Sequence, residues 1–184
     1  MNQEFIDNCL VTCSNDFQCT QVSHELLVKS LNDIVAAAEN SEAVKKALYY
    51  GKQPIQLNYE FTGKDPLATV LYNGVTPEIL HGVIGIAGEA GELVEAVLKS
   101  LTAKETDTYI DKTNLKEEIG DIMWYMSILI DAIGSSYEEI CTMNTAKLKA
   151  RYPEKFSSES AINRDVDNER KVLEASETVS KVAS

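Results

Sequence analysis

The chain has 184 residues, of which 44% are hydrophobic, a content that fits one well-buried domain with polar ends. Its 29 acidic residues against 17 basic ones give a net charge of −12, which would repel a nucleic-acid backbone or an anionic membrane. No apolar run approaches the roughly 20 residues of a membrane span, and the start, MNQEFIDNCLV, lacks a basic, signal-like segment. We therefore expect a cytoplasmic protein that binds neither nucleic acid nor membranes.

The first 75 residues predict two helices followed by an extended segment. Ser23 can cap the first helix, and Ser41 can cap a second one that ends at Gly51. Beyond Pro54, apolar and polar residues alternate with the period of a half-buried strand, which allows a small β-hairpin at 55–72. We predict that residues 1–75 form an N-terminal extension.

The rest of the chain has helical periodicity, so the predicted fold class is all-α, a helical bundle. Three long helices are predicted over 76–101, 114–134 and 136–152, each beginning at a Thr, Asn or Ser that can cap it. The third must stop by Tyr152, because Pro153 disfavours helical geometry in the residue before it.

The predicted core domain covers 76–172 and is followed by a polar, frayed tail over 173–184. One further helix is predicted around 164–175.

The first long helix combines an apolar stripe with a row of glycines. At about 100° per residue, the stripe predicted to face the core consists of Ile79, Val83, Ile86, Ala90, Leu93 and Val97. Glycines at 82, 85, 88 and 91 form a ridge without side chains, which lets another helix or a ligand approach the backbone closely. Tight helix packing alone is the simpler alternative. The second long helix has a similar stripe, made of Leu115, Ile119, Ile122, Met126, Leu129 and Ile133.

Both helices carry a pair of carboxylates at the edge of the apolar stripe. Glu89 and Glu92 share one face of the first helix, and Glu118 and Asp121 share one face of the second. If the helices pack antiparallel, four carboxylates converge at a core boundary, where uncompensated negative charge is costly. A hard divalent cation would offset that charge. The alternative is that the glutamates only keep a helix face soluble.

The third helix presents a polar, cationic face. Asn144, Lys147 and Arg151 fall at i, i+3 and i+7, and lysine and arginine side chains in this arrangement suit phosphate oxygens. Salt bridges to the acidic helices would explain the same residues without a ligand.

Three segments of the chain, GIAGEAGELVEAVLK, KEEIGDIMWYM and NTAKLKARYPEKF, carry a family resemblance. Together they resemble the MazG-like, all-α nucleoside triphosphate pyrophosphohydrolases, the superfamily that includes dimeric dUTPases and dCTP pyrophosphatases. The signature of that superfamily is EExxE followed by ExxD. Glu89 and Glu92 match the second and third glutamates, Glu118 and Asp121 match ExxD, and Gly88 replaces the first glutamate.

The resemblance implies a function and a site. Glu89, Glu92, Glu118 and Asp121 would bind Mg²⁺, with Mn²⁺ as a substitute, for hydrolysis of a (deoxy)nucleoside triphosphate to the monophosphate and pyrophosphate. Contacts with the substrate would come from Tyr125, Asn144, Lys147 and Arg151, although Tyr125 is equally well explained as a core tyrosine. The resemblance, together with the breadth of the apolar stripe, also predicts a homodimer or homotetramer.

Two other functions are compatible with the sequence. Glu78-x-x-His81 is a motif of the kind that di-iron bundles use, although the only other histidine, His24, lies in no second copy of it. A helical binding or scaffold protein that has kept the fold without turnover is the non-enzymatic alternative, and Gly88 favours it.

Overall fold

The computed structural model describes residues 3–14, 22–52, 74–103 and 109–183, with side chains described up to 176. All regular structure in these ranges is helical, which confirms the all-α prediction. The elements are α1 (Gln3–Val11), α2 (His24–Tyr50), α3 (Pro77–Thr102), α4 (Lys112–Ala132), α5 (Tyr137–Arg151), α6 (Ser158–Ile162) and α7 (Val166–Ala183). The hairpin predicted at 55–72 lies outside the described residues.

The segment after Ser23 forms one helix of 27 residues, so the predicted division into two helices at Ser41 is wrong. The helix begins as expected, because Ser23 Oγ accepts the N–H of Leu26 at 3.1 Å. It also ends as expected, at Gly51 with a φ of 66°. Ser41 does not cap, because its hydroxyl donates to the carbonyl of Ala37 at 3.1 Å within the continuous helix.

Most later helix boundaries follow the predicted caps. Thr76 caps α3 and Ser136 caps α5 through their side-chain oxygens. Helix α4 begins earlier than predicted, because Asp111 rather than Asn114 is the cap and accepts the N–H groups of Thr113 and Asn114. Helix α7 runs on to Ala183, through the segment predicted as a frayed tail.

The chain divides into two compact units, Thr20–Ile133 and a second that combines Met1–Cys19 with Gly134–Ser184. In the first unit, α3 packs against both α2 and α4. In the second, α5 packs against α7 and, over a smaller area, against α1. The predicted domain limits at 75 and 172 stay predictions. Among the described helices, none combines the length and the apolar character of a membrane span.

The glycine ridge of α3 is the face that packs. All four of its glycines are buried. A Cβ atom at Gly85 would lie 2.1 Å from Cδ1 of Tyr125 on α4, and one at Gly91 would lie 2.0 Å from Cβ of Ala38 on α2. Real Cβ atoms do not approach other atoms so closely, so the glycines are what permit α2 and α4 to lie against α3.

The apolar stripes of α3 and α4 do not form the core as predicted. Val83 of α3 is 50% exposed, and Ile119 and Ile133 of α4 are 49% and 54% exposed. The physical reason is that α2 and α4 both dock on the glycine face, which leaves the neighbouring aliphatic stripe only partly covered. Tyr125 and Glu118, predicted at the edge of the stripe, are instead the buried residues of α4, together with Ile130.

Candidate metal centre

Three of the four predicted carboxylates come together between α3 and α4. One oxygen each from Glu89, Glu92 and Glu118 lie within 4.8 Å of one another. The side chains differ in burial, since Glu89 and Glu118 are 8% and 5% exposed while Glu92 is exposed. The arrangement follows from the glycine ridge, because the close approach of α4 to α3 carries Glu118 up to the glutamates of α3.

Burial and mutual repulsion disfavour the charged forms of these carboxylates. Burial raises the pKa of Glu89 and Glu92, and the charge of Glu118 adds to the effect on Glu92. Burial also raises the pKa of Glu118, although Asn114 opposes the shift by donating to its Oε1 at 2.6 Å. The three groups therefore hold charge at an energetic cost that a cation would relieve.

Asp121 lies apart from this group. It is exposed, and none of its oxygens belongs to the cluster of atoms within 4.8 Å. It is close enough for its charge to add to the burial that raises the pKa of Glu118. Three of the four predicted carboxylates therefore come together in this structure, and Asp121 lies near them without joining the group.

A buried lysine from α2 lies against the carboxylates. Lys45 is 1% exposed, and its ammonium contacts the carboxylate of Glu42 and lies 3.3 Å from Oε1 of Glu89. It also lies 4.5 Å from the ring centroid of Tyr125. Although burial disfavours its charged form, the bonds to Glu42 and Tyr125 raise the pKa of Lys45 overall, so it stays cationic.

Aromatic side chains from the three helices surround Lys45 and Tyr125. The hydroxyl groups of Tyr125 and Tyr50 are 3.3 Å apart, and Tyr125 is 6% exposed. His81 stacks on Tyr49 with 3.9 Å between ring centroids, and its Nε2 is buried without a hydrogen-bond partner in the described part of the chain. Burial, aided by the charge of Lys45, lowers the pKa of His81. His81 thus serves in an aromatic cluster and is absent from the carboxylate group.

The predicted phosphate-binding residues lie in the second compact unit, on α5. Asn144 and Lys147 are half-buried. Arg151 forms a bidentate ion pair with Glu169 of α7, with Nε at 2.7 Å from Oε1 and Nη2 at 2.5 Å from Oε2. Arg164 shares the same carboxylate. The guanidinium of Arg151 therefore has a structural partner, and its contact with phosphate stays a prediction, as do those of Asn144 and Lys147.

The clustered carboxylates suit a hard divalent ion. Their donor atoms are all oxygens, the ligands that Mg²⁺ and Mn²⁺ prefer. Oxygens bound to one Mg²⁺ are at most about 4.2 Å apart, twice its bond length. Small side-chain rotations would therefore bring the three oxygens, now within 4.8 Å, into range of a single ion. When bound, such an ion would polarise a phosphoryl oxygen and help to ionise a water molecule.

Sequence reasoning missed the contribution of α2. One face of α2 packs toward α3, and its residues are spaced with helical periodicity: Ala38, Glu42, Lys45 and Tyr49. A face containing glutamate and lysine has the composition of a solvated surface, so periodicity alone gives no reason to bury it. The small residue at 38 is the one available signal, because it pairs with a glycine on α3.

Comparisons with known proteins find similarity over the segment that carries the clustered carboxylates. Residues 81–156 match the family model of the MazG nucleotide pyrophosphohydrolase domain. A curated relative, the Gene 37 protein of Mycobacterium phage L5, is 33% identical over 69 residues, which are 37% of this chain and 60% of the phage protein. The chain thus spans less than two thirds of that relative, whose name states no activity. No solved structure matches. The predicted resemblance to the MazG-like superfamily is confirmed over residues 81–156.

Proposed function

We propose that the protein hydrolyses a (deoxy)nucleoside triphosphate to the nucleoside monophosphate and pyrophosphate, and that turnover requires Mg²⁺ or Mn²⁺. The observation that carries the proposal is the convergence of Glu89, Glu92 and Glu118 inside the segment that matches the MazG model. Carboxylate oxygens bind the hard ions that accompany triphosphates, and no histidine or cysteine of the described ranges belongs to this group.

In this proposal the three clustered carboxylates hold the ion, and Asp121 joins them by rotating its exposed side chain inward. Lys45 keeps Glu89 in place through the ion pair between their side chains. Lys147 and Asn144 bind phosphate or sugar, and Arg151 uses the N–H groups that Glu169 leaves unoccupied. Tyr125, buried against Gly85, positions Lys45 rather than contacting the base.

We also propose that the protein self-associates as a homodimer or homotetramer. The support is that Val83 of α3 and Ile119 of α4, both predicted to face the core, are each about half exposed. Covering such a surface with a second copy would remove apolar area from water. Sedimentation at micromolar concentration tests this proposal, and a monomer would contradict it.

The activity is tested by incubating the protein with a panel of ribonucleoside and deoxyribonucleoside triphosphates and measuring pyrophosphate release. We expect turnover of at least one nucleotide with Mg²⁺ or Mn²⁺. We expect none with Ca²⁺, whose longer bonds and looser geometry would misplace the reacting water.

The matched controls are Glu118→Gln and Glu117→Gln. Both remove one carboxylate from α4, but only Glu118 belongs to the cluster. Loss of activity in Glu118→Gln alone is the expected result. Full activity of both variants, or full activity of the wild type in excess chelator, would refute the proposal.

A further inference from the structure

Gly88 is the position at which the sequence departs from EExxE, and a carboxylate from another helix lies beside it. A Cβ atom at Gly88 would lie 2.8 Å from Oε2 of Glu42 and 3.8 Å from its Cδ. The carboxylate of Glu42 therefore occupies the space in which a side chain at position 88 would begin. Glu42 belongs to α2, which lies outside the segment that matches the MazG model.

Glu42 opens onto the same groove as Glu92. This groove runs between α2 and α3 and has a volume of about 570 Å³, with Glu42, Gly88 and Glu92 among its lining residues. The charge of Glu42 reinforces the burial that raises the pKa of Glu92 and of Glu89. Glu42 lies outside the group of three carboxylate oxygens within 4.8 Å of one another, but it is an electrostatic neighbour of both clustered glutamates of α3.

Two lysines hold the Glu42 carboxylate in its ionised form. Lys45 contacts Oε2, and Lys46 Nζ lies 3.1 Å from Oε1. Burial opposes ionisation, but these two ion pairs lower the pKa of Glu42 overall. A carboxylate offers about four lone-pair sites, so two bonds from lysines leave it able to bind a further cation. Lys45 is buried and Lys46 is 42% exposed, so Lys45 is the lysine that fixes the position of the Glu42 carboxylate.

Resting on the proposed function, we propose that Glu42 supplies to the divalent-metal site the carboxylate that the motif lacks at position 88. The position that is missing a glutamate is the one against which Glu42 lies. The small residue at 88 is then required, because any side chain there would displace the Glu42 carboxylate. Helix α2 is, on this proposal, a working part of the site rather than an extension of it.

The test measures binding of Mn²⁺ to the full chain by calorimetry, without nucleotide, so that the readout is independent of turnover. We expect Glu42→Gln to weaken Mn²⁺ binding about 10-fold or more, the loss typical of removing a group that supports a metal site. Glu39→Gln is the matched control, because Glu39 lines the same groove and carries the same charge. We expect it to leave the affinity nearly unchanged.

A second test removes the carboxylate of Glu42 on α2 and adds one at position 88 on α3. Glu42→Ala should weaken Mn²⁺ binding, and adding Gly88→Glu should restore most of the affinity, because the vacated space admits the new side chain. Adding Ala87→Glu instead restores the net charge at the exposed neighbouring position and should not restore binding. Thermal melts check folding, and should Glu42→Ala fail to fold, Glu42→Ser, which also vacates the space beside position 88, replaces it in both double variants.

The outcomes separate this inference from the proposed function. Wild-type affinity in Glu42→Gln, together with loss of binding in Glu89→Gln, would overturn the role of Glu42 and leave the metal-dependent activity standing. Equal rescue by Ala87→Glu and Gly88→Glu would overturn the positional claim. A wild-type protein that binds no Mn²⁺ would overturn both.

Discussion

The ammonium of Lys45 lies 3.3 Å from the carboxylate of Glu89 in a position that is almost fully shielded from water. A charged lysine is rarely buried unless it is paired, and here its pairs join α2 to α3. This contact joins α2, which lies outside the segment that matches the MazG model, to α3, which carries clustered glutamates.

Lys45→Met should destabilise the protein by about 3 kcal/mol, because it leaves the carboxylates of Glu42 and Glu89 without their buried partner. Lys46→Met is the control, since Lys46 pairs with the same Glu42 from an exposed position. We expect it to cost less than about 1 kcal/mol. Urea denaturation of the three proteins in chelator measures both values, and equal losses would contradict the assigned burial.

Gly91→Ala should destabilise the protein by about 1–3 kcal/mol through overpacking, because its Cβ would lie 2.0 Å from that of Ala38. Adding Ala38→Gly should recover part of the loss. Gly120→Ala is the opposite control, since it lies in α4 with open space around it. That change should stabilise the protein by about 0.5–1 kcal/mol. Thermal melts with the same sign for Gly91→Ala and Gly120→Ala would refute the packing of α2 on α3.

Glu118→Gln should leave the metal-free protein as stable at neutral pH or more stable, by about 1 kcal/mol. The folded-state pKa of Glu118 is raised above its ordinary value of 4.5. Its contribution to stability is therefore fully present below pH 4.5 and is lost as the pH rises through the folded pKa. The advantage of the variant should grow over this interval. Melts in chelator from pH 4 to 8 measure it, and an advantage that shrinks with rising pH would contradict the repulsion.

Mg²⁺ should reverse this order by favouring the ionised cluster. We expect it to stabilise the wild type by about 2.7 kcal/mol at a hundred times its dissociation constant. The shift in Glu118→Gln should be much smaller. Equal Mg²⁺-dependent shifts in both proteins would place the ion elsewhere.

Glu169 has the opposite pH dependence. The hydrogen bonds from Arg151 and Arg164 lower the pKa of Glu169 to about 2, against an ordinary value of 4.5. Its contribution is present above pH 4.5 and is lost as the pH falls toward 2. The stability difference between wild type and Glu169→Gln should therefore shrink over that interval. Denaturation curves at successive pH values check it, and a constant difference would contradict the ion pairs.

The sequence predicts the helices better than it predicts which faces meet. Caps such as Thr76 and Ser136 act through bonds within three residues, so local pattern suffices to locate them. The buried face of α3 depends on what docks there, and the glycines that decide it have no side chains to count as apolar. The periodicity of apolar residues therefore predicts that the stripe containing Val83 faces the core, whereas Val83 is half exposed.

The same distinction holds for the candidate site. Glu89, Glu92 and Glu118 are found by spacing because each helix carries its own part of the pattern. Residue spacing does not identify Glu42 and Lys45, because their burial results from the fit of Ala38 against Gly91 on another helix.

The central claim is metal-dependent release of pyrophosphate, and phosphorus NMR of the reaction products tests it most directly. A nucleoside triphosphate incubated with the protein and Mg²⁺ should yield the signals of a nucleoside monophosphate and pyrophosphate, and excess chelator should stop their appearance. Orthophosphate with a nucleoside diphosphate, unchanged turnover in chelator, or no turnover of any nucleotide would contradict the account.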